Sequence, residues 1–272
     1  MVVRIIISEG PHDAAFLARV LLANGFDNSK KIIKDYPRYI SGYLEKLLDV
    51  SGFDEFSIKT LNSHYDFPHA ALCKRDSLDD VVILFTMNGD SQVVRRINLI
   101  RGIYETFTSS LIRDKFVGDT IKFIYNCDAD EKGIDARLTE ITEELRSVIA
   151  DDFPQMGQQK WVVYNQVYFG ATIFSDDTGK GKLENLVLPL MKKDKEDYFS
   201  EVNHFVACHE GKEMFKGRYS QYERAKALIS IMSQFHISGV NNTVQIEKSC
   251  LINNQHILDN PSCKQLFDFI VG

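Results

Sequence analysis

Residues 121–130 read IKFIYNCDAD, an apolar run that ends in two aspartates. Its β-branched and aromatic side chains predict a buried strand over 121–127, and residues 134–149 have the apolar spacing of a helix. The same order of apolar run, polar turn and helix occurs twice earlier in the chain, at 2–24 and at 81–112. Three such units in succession predict an α/β fold with a mostly parallel, Rossmann-like sheet flanked by helices.

The two earlier units follow the same plan. The first has a strand over Val2–Ser8, the turn Glu9-Gly10-Pro11 and a helix over Asp13–Asn24. The second has a strand over 81–87, the turn Asn88-Gly89-Asp90 and a helix over 91–112. In parallel sheets the turns that follow the strands lie at the carboxyl edge, where ligands bind. The polar turns therefore mark the expected site.

The rest of the chain predicts an insertion and an extension. We expect a main domain at 1–190 that contains a helical insertion at 26–80, and a helical C-terminal extension at 191–272. Within the insertion, residues 36–50 predict a helix, 56–61 a strand and His64–His69 a loop. Beyond it, 161–174 predicts one long strand or a hairpin. Further helices are expected at 182–191, 198–215, 220–235 and 262–270.

Composition limits the function classes. The chain has 272 residues, with ordinary hydrophobic and charged fractions of 44% and 26%. Its net charge of -6 argues against a protein that coats nucleic acid by bulk electrostatics. Because it has no long uncharged apolar run, no membrane span is expected. The opening apolar run is too short for a signal peptide, and the five cysteines form no CxxC pair. We therefore expect reduced cysteines in a cytoplasmic protein.

Carboxylates follow two of the predicted strands. Glu9 comes directly after the first, and Asp128 and Asp130 after the third. Strand alternation predicts that Asp128 and Asp130 face the same side, where both could contact one cation. Hard cations such as Mg²⁺ take oxygen ligands, so the arrangement predicts a divalent-cation site. Each aspartate alone is also typical of a turn or a helix N-cap, and only their combination with Glu9 favours the metal.

These motifs resemble those of the Toprim family, the metal-binding domain of topoisomerases, bacterial primases and several nucleases. The first motif corresponds to Glu9-Gly10 with Asp13, the second to the turn at Asn88-Gly89-Asp90, and the third to Asp128-Ala129-Asp130. The resemblance spans residues 1 to about 150 and implies Mg²⁺ or Mn²⁺ held by Glu9, Asp13, Asp128 and Asp130. Pro11-His12 stands where the family commonly has a basic residue, and the segment between the first two motifs is longer than usual.

A second, shorter resemblance lies in the second half of the chain. Gly181-Lys182-Leu183-Glu184 is similar to a segment of standalone Toprim proteins and of the overcoming-lysogenisation-defect (OLD) nucleases. It implies that Glu184 opens a helix and contributes to a second metal site. A later helical lysine near the site of that family corresponds to Lys226, with Lys182 as the alternative basic residue. Glu184 could instead be an acidic residue favoured by the helix dipole, and Lys226 part of a solvated helix face.

The leading hypothesis is a nuclease that needs Mg²⁺ or Mn²⁺ and cleaves DNA or RNA, with Glu9 and either Lys226 or Lys182 in catalytic roles. Topoisomerase activity is disfavoured because the chain has no room for a strand gate, and primase activity because no zinc ribbon is present. Two alternatives stay open. One is a module that binds nucleic acid or phosphate without cleaving it, and the other is a subunit that depends on a protein partner. The sequence does not distinguish DNA from RNA and does not predict the oligomeric state.

Overall fold

The computed structural model describes residues 1–48, 56, 58, 67–109, 113–209 and 221–272, and a seven-stranded sheet lies at its centre. The strands in chain order are β1 (Val2–Ser8), β2 (Phe26–Asn28), β3 (Ala70–Lys74), β4 (Ser77–Thr86), β5 (Thr120–Asp128), β6 (Val162–Tyr164) and β7 (Val167–Phe174). Their order across the sheet is β2-β3-β4-β1-β5-β7-β6. β4, β1, β5 and β7 pair in parallel, whereas β2, β3 and β6 pair antiparallel towards the edges. The predicted α/β class with a mostly parallel sheet is confirmed.

Helices cover both faces of the sheet. The described residues form α1 (Pro11–Ala23), α2 (Arg38–Leu48), α3 (Val93–Thr108), α4 (Ile134–Val148), α5 (Glu184–Lys192), α6 (Glu196–His209), α7 (Gln221–Gln234), α8 (Asn242–Lys248), α9 (Asn254–Asp259) and α10 (Pro261–Val271). No helix among the described residues has both the length and the apolar character that a bilayer crossing requires.

The side chains of β1 point alternately into two hydrophobic cores, one on each face of the sheet. Ile5 and Ile7 pack into a core beneath α2, α3 and α4, while Ile6 faces the opposite core under α1 and the helices that follow β7. At most 1% of the surface of each of these isoleucines is exposed. Burying one such side chain contributes about 1.5–3 kcal/mol relative to leaving it in water. Both faces of the central strands are therefore apolar, as expected for parallel strands covered by helices.

The segment 26–80 differs from the helical insertion that the sequence predicts. It supplies α2, but also β2, β3 and the first residues of β4, so it extends the sheet by two antiparallel edge strands. β3 begins soon after Pro68 and contains two alanines, which have weak strand propensity, so the local pattern does not reveal it. The predicted strand at 56–61 lies outside the described residues except for Phe56 and Ile58, and Ile58 is helical. His64 also lies outside them.

The helices after residue 191 share a core with the sheet. α8 and α9 pack against α1, and the buried guanidinium of Arg19 on α1 donates hydrogen bonds to the carbonyl oxygens of Ile246 (2.8 Å) and Ser249 (2.7 Å). The predicted strand or hairpin at 161–174 is a hairpin, β6–β7, whose turn residues Asn165 and Gln166 both have positive φ. Asparagine tolerates that conformation better than most residues, and paired positive φ values are typical of a tight hairpin turn.

Candidate active site

The candidate site lies at the carboxyl edge of β1, β4 and β5, in the middle of the sheet. Ser8, the last residue of β1, pairs with Thr86 of β4 and Asn126 of β5. The ladder continues one residue further, because Glu9 N–H donates to the Asn126 carbonyl oxygen at 3.0 Å and Gly89 N–H donates to the Glu9 carbonyl oxygen at 2.9 Å. β4 lies on one side of β1 in the sheet, and the next strand in the chain, β5, lies on the other side of β1. This reversal of direction is where ligands bind in open α/β sheets.

Three carboxylates meet on the α1 side of this edge. The Asp13 carboxylate, in the first turn of α1, accepts a hydrogen bond from Gly10 N–H at 2.7 Å. Asp128, at the end of β5, accepts one from Leu183 N–H at 2.9 Å. That bond holds the start of α5, and with it Glu184, against the end of β5. The fold thus brings together Asp13, Asp128 and Glu184, as the sequence analysis expects.

The pKa values of the carboxyl groups at the site reflect their burial and the nearby negative charges. Burial, together with the charges of Glu184 and Glu9, raises the pKa of Asp128 from 3.8 to about 7, although the hydrogen bond from Leu183 opposes the rise. Burial and the neighbouring charge of Asp128 raise the pKa of Asp13 well above its ordinary value. Burial also raises the pKa of Glu9, and the nearby Arg137 counters only part of that effect. Like-charged carboxylates in a shared buried site are typical of functional centres.

Two carboxylate oxygens at the site have no hydrogen-bond partner among the described residues. They are Oε2 of Glu9 and Oε2 of Glu184, both fully buried as atoms. The nearest ion-pair contacts are long: Arg137 Nη2 lies 3.9 Å from Glu9 Oε2, and Lys226 Nζ lies 3.9 Å from Glu184 Oε1. A buried charged oxygen without a partner costs free energy unless a cation satisfies it. The residues present therefore fit a divalent cation, although the described side chains form no ready-made group of three His, Cys, Asp or Glu ligands.

Asp130 does not share the surroundings of Asp128, and a cation that contacts both residues remains a prediction. Its carboxylate binds Lys182 Nζ at 2.7 Å and Arg137 Nη2 at 2.6 Å. Burial alone would raise the pKa of Asp130, but these two bonds outweigh it and lower the pKa. The physical reason is the backbone: Asp130 lies beyond the end of β5 with φ of 50°, so strand alternation no longer applies.

The turn that contains Asp130 is fixed by the segment before α5. Asp130 and Gly181 exchange two backbone hydrogen bonds, at 2.8 and 3.1 Å. Gly181 has φ of 104°, and a Cβ at this position would lie 2.6 Å from Asn185 Oδ1. Only glycine allows both this conformation and this close approach. The bridge places Lys182 over Asp130 rather than over Asp128.

Arg137 is the main residue that the sequence analysis missed. Its side chain is 3% exposed and donates hydrogen bonds to Asp90 (2.6 Å), Asp130 (2.6 Å), Glu140 (3.1 Å) and the Asp128 carbonyl oxygen (2.9 Å). Burial alone would lower its pKa, but the ion pair with Asp90 and the neighbouring negative groups outweigh it and raise the pKa.

The sequence does contain a signal for Arg137. The residue lies three after Ile134 and four before Ile141, on the apolar stripe of α4, where a charged side chain needs buried partners. Asp90, in the predicted second turn, is among those partners. A charged residue on the apolar face of a helix was therefore the clue to a buried ion-pair network.

Lys226 reaches the site from α7. Its side chain is 46% exposed and its ammonium lies near the otherwise buried Glu184 carboxylate. His12, in the first turn of α1, lies close to the same pair: burial lowers its pKa, the charge of Glu184 raises it and that of Lys226 lowers it. The two lysines thus pair with different carboxylates: Lys226 with Glu184 and Lys182 with Asp130. A solvent-accessible cation beside a buried acidic group is suited to contact an incoming anion.

Comparison with known proteins gives a family but no activity. The model of a family described as a protein of unknown function (DUF3226) matches residues 3–270, so the chain belongs to that family. No curated protein matches the chain. The fold is similar to that of the hypothetical protein PH0156 from Pyrococcus horikoshii OT3, whose crystal structure aligns with a TM-score of 0.59 and 17% sequence identity over 99% of this chain and 94% of that one.

Proposed function

We propose that this member of the DUF3226 family is a divalent-cation-dependent phosphodiester hydrolase with a Toprim-like site, and that its substrate is DNA or RNA. The observation that supports the proposal most strongly is the pair of buried carboxylate oxygens on Glu9 and Glu184, for which the described part of the chain supplies no hydrogen-bond partner. They flank Asp128, whose own ionisation is opposed by burial. A site that keeps acidic groups close together at a free-energy cost is best explained by a ligand that removes the cost.

Mg²⁺ or Mn²⁺ fits these donors, because both ions prefer carboxylate oxygens and retain several waters. Glu9 and Asp128 would hold the ion at the sheet edge, and Asp13 and Glu184 extend the donor set on the α1 side. When bound, such an ion polarises a phosphate oxygen and lowers the pKa of a coordinated water. Asp130 is better described as a positioning residue, because Lys182 and Arg137 already neutralise it.

The cationic side chains have separate tasks in this proposal. Lys226, which is half exposed beside Glu184, contacts the substrate phosphate and offsets negative charge that builds up on it. Arg137 is buried and bound to the Asp128 carbonyl oxygen as well as to Asp130, so it fixes the β5–α4 turn that presents the acidic residues. Rigid placement of this kind keeps the site ordered before substrate arrives.

A second function is favoured by one specific observation. The ammonium of Lys226 is half exposed at the edge of the sheet, where it can contact a phosphate without a metal. The same surface would then bind a nucleic-acid phosphate without cleaving it. Binding that persists in EDTA, without turnover in any divalent cation, would select this function.

Cleavage assays at low ionic strength test the proposal. The purified protein is incubated with single- and double-stranded DNA and RNA in Mg²⁺, in Mn²⁺ and in EDTA. We expect cleavage in either cation and none in EDTA, and we expect Glu9→Gln and Asp128→Asn each to lower the rate by at least about 100-fold. Glu201→Gln, on an exposed part of α6, is the matched control and should cleave like the wild type.

The assay has two outcomes that reject the hydrolase. If the wild type cleaves none of the four substrates in either cation, the enzymatic function is wrong. If Glu9→Gln and Asp128→Asn cleave as fast as the control variant, the activity does not come from this site. Circular dichroism spectra of all variants establish that a lost activity is not a lost fold.

A further inference from the structure

A cavity of about 440 Å³ opens beside Glu9, on the opposite face of the sheet from Asp13 and Glu184. It lies between the start of α3 and the middle of α4, at the carboxyl edge of β1 and β5. Its size falls within the range of about 300–1,000 Å³ that small-molecule ligands occupy in proteins. Because Glu9 lines it, a group attached to a phosphate at the proposed metal site would reach it directly.

Apolar and aromatic side chains form part of the cavity wall. Ile7, Tyr125 and Ile141 are buried lining residues, and Val93 is the partly exposed one. The Tyr125 hydroxyl donates to Glu144 Oε1 at 2.8 Å, so the ring is fixed in place. Flat, rigid and apolar surfaces of this kind suit a planar heterocycle.

The charged side chains that line the cavity disfavour a second phosphate there. Five carboxylates and three cationic side chains line it, an excess of negative charge. Each of the three cations is already bound to a carboxylate: Arg96 to Glu144 at 2.9 Å, Arg137 to Asp90 at 2.6 Å and Lys132 to Glu140 at 2.7 Å. Carboxylates that line a cavity instead accept hydrogen bonds from the exocyclic amino and ring N–H groups of nucleobases.

We infer that this cavity holds one unpaired nucleobase next to the scissile phosphate, so that the substrate is single-stranded or locally unpaired nucleic acid. The inference deepens the proposed function and rests on it. A base that remains in a duplex is stacked on both sides and cannot enter this cavity without leaving the stack. Substrates that are already single-stranded avoid that cost.

Val93 provides a test because it lines the cavity and is 40% exposed, so a larger side chain there fills the cavity without disturbing the core. Its neighbour Val94 is 72% exposed and does not line the cavity, which makes Val94→Trp the matched control for Val93→Trp. The substrates are labelled single-stranded DNA and RNA oligonucleotides, the same oligonucleotides in duplex form, and a single strand in which tetrahydrofuran residues replace the nucleosides. The rise in melting temperature with Mg²⁺ is recorded for each variant as a measure of the metal site.

We expect the wild type to cleave the single strand faster than both the duplex and the abasic strand. Because the tryptophan takes the place of the base, Val93→Trp should lower kcat/KM on the single strand by about tenfold while keeping its Mg²⁺-dependent rise in melting temperature. Val94→Trp should match the wild type.

If the wild type cleaves but Val93→Trp and Val94→Trp act alike, or if the abasic strand is cleaved as well as the normal one, the base pocket is wrong and the hydrolase stands. If the wild type cleaves nothing, the hydrolase itself fails and the pocket falls with it.

Discussion

Replacing Asp128 by asparagine should stabilise the protein when no metal is present. Asp128 is a buried carboxylate at the end of β5, with a pKa of about 7 in place of 3.8. Asparagine keeps an oxygen that accepts the Leu183 N–H bond of 2.9 Å, but removes the charge that Glu184 and Glu9 oppose. Asp128→Asn should therefore unfold at higher urea concentration than the wild type in EDTA at pH 8.

The size of the effect follows from the pKa. Each pKa unit corresponds to about 1.36 kcal/mol, so the difference between 3.8 and about 7 amounts to at most about 4 kcal/mol. A raised carboxyl pKa means that the folded protein holds the proton more tightly than the unfolded chain does. The contribution to stability is therefore complete below pH 3.8 and declines as the pH rises towards 7. The wild type loses this contribution between those limits, and the asparagine variant does not.

Urea unfolding at pH 5 and pH 8 in EDTA measures the prediction. The gain in unfolding free energy of Asp128→Asn over wild type should be larger at pH 8 than at pH 5. Asp177→Asn, at an exposed position, is the control and should show no such pH dependence. An asparagine variant that is less stable than wild type at pH 8, or a difference that is the same at both pH values, would refute the reasoning.

Three further predictions concern the same cluster. A saturating concentration of Mg²⁺, about a hundred times its Kd, should stabilise the wild type by about 2.7 kcal/mol, and Glu184→Gln should lose most of that gain in a thermal-shift assay. Arg137→Met should lower the unfolding free energy by about 1.5–3 kcal/mol, because it removes the charged hydrogen bonds that the buried guanidinium donates to Asp90 and Asp130. Arg101→Met, which removes an exposed pair with Glu105, should cost less than about 1 kcal/mol in the same urea titration. Lys226→Met should slow nucleic-acid cleavage by at least about tenfold while leaving the Mg²⁺-dependent rise in melting temperature intact.

The central strands could be predicted because their pattern is local. Val2–Ser8 and the run at 121–127 are short, β-branched and followed by polar turns, and both are strands within a residue of the predicted bounds. The partners of the central strands could not be predicted in full. β3 contains weak strand formers and owes its conformation to pairing with β4, a contact that local periodicity does not contain. The short helices α8 and α9 are likewise held by packing against α1.

Part of the candidate site could likewise be predicted from the sequence, and part could not. Glu9 and Asp128 follow strands, so their convergence is implied by a parallel sheet. Only the family resemblance predicts Glu184 at the site, and the structure brings it to Asp128 through the Leu183 hydrogen bond. The pairing of Asp130 with Lys182 and Arg137 could not be predicted, because its backbone leaves the extended conformation at that residue. Arg137 was missed because a lone arginine in a helix is usually solvated, and only the tertiary fold shows that four acceptors surround it.

A crystal soaked in Mn²⁺ and measured at the manganese absorption edge tests the central claim most directly. Carboxylate oxygens should lie about 2.1 Å from the ion, so an anomalous peak bonded to Glu9 and Asp128 is the predicted result. The Asp128→Asn crystal, soaked in the same way, should show a weaker peak or none. A wild-type map without a peak at this edge of the sheet, or with a peak held by neither of the two residues, would contradict the account.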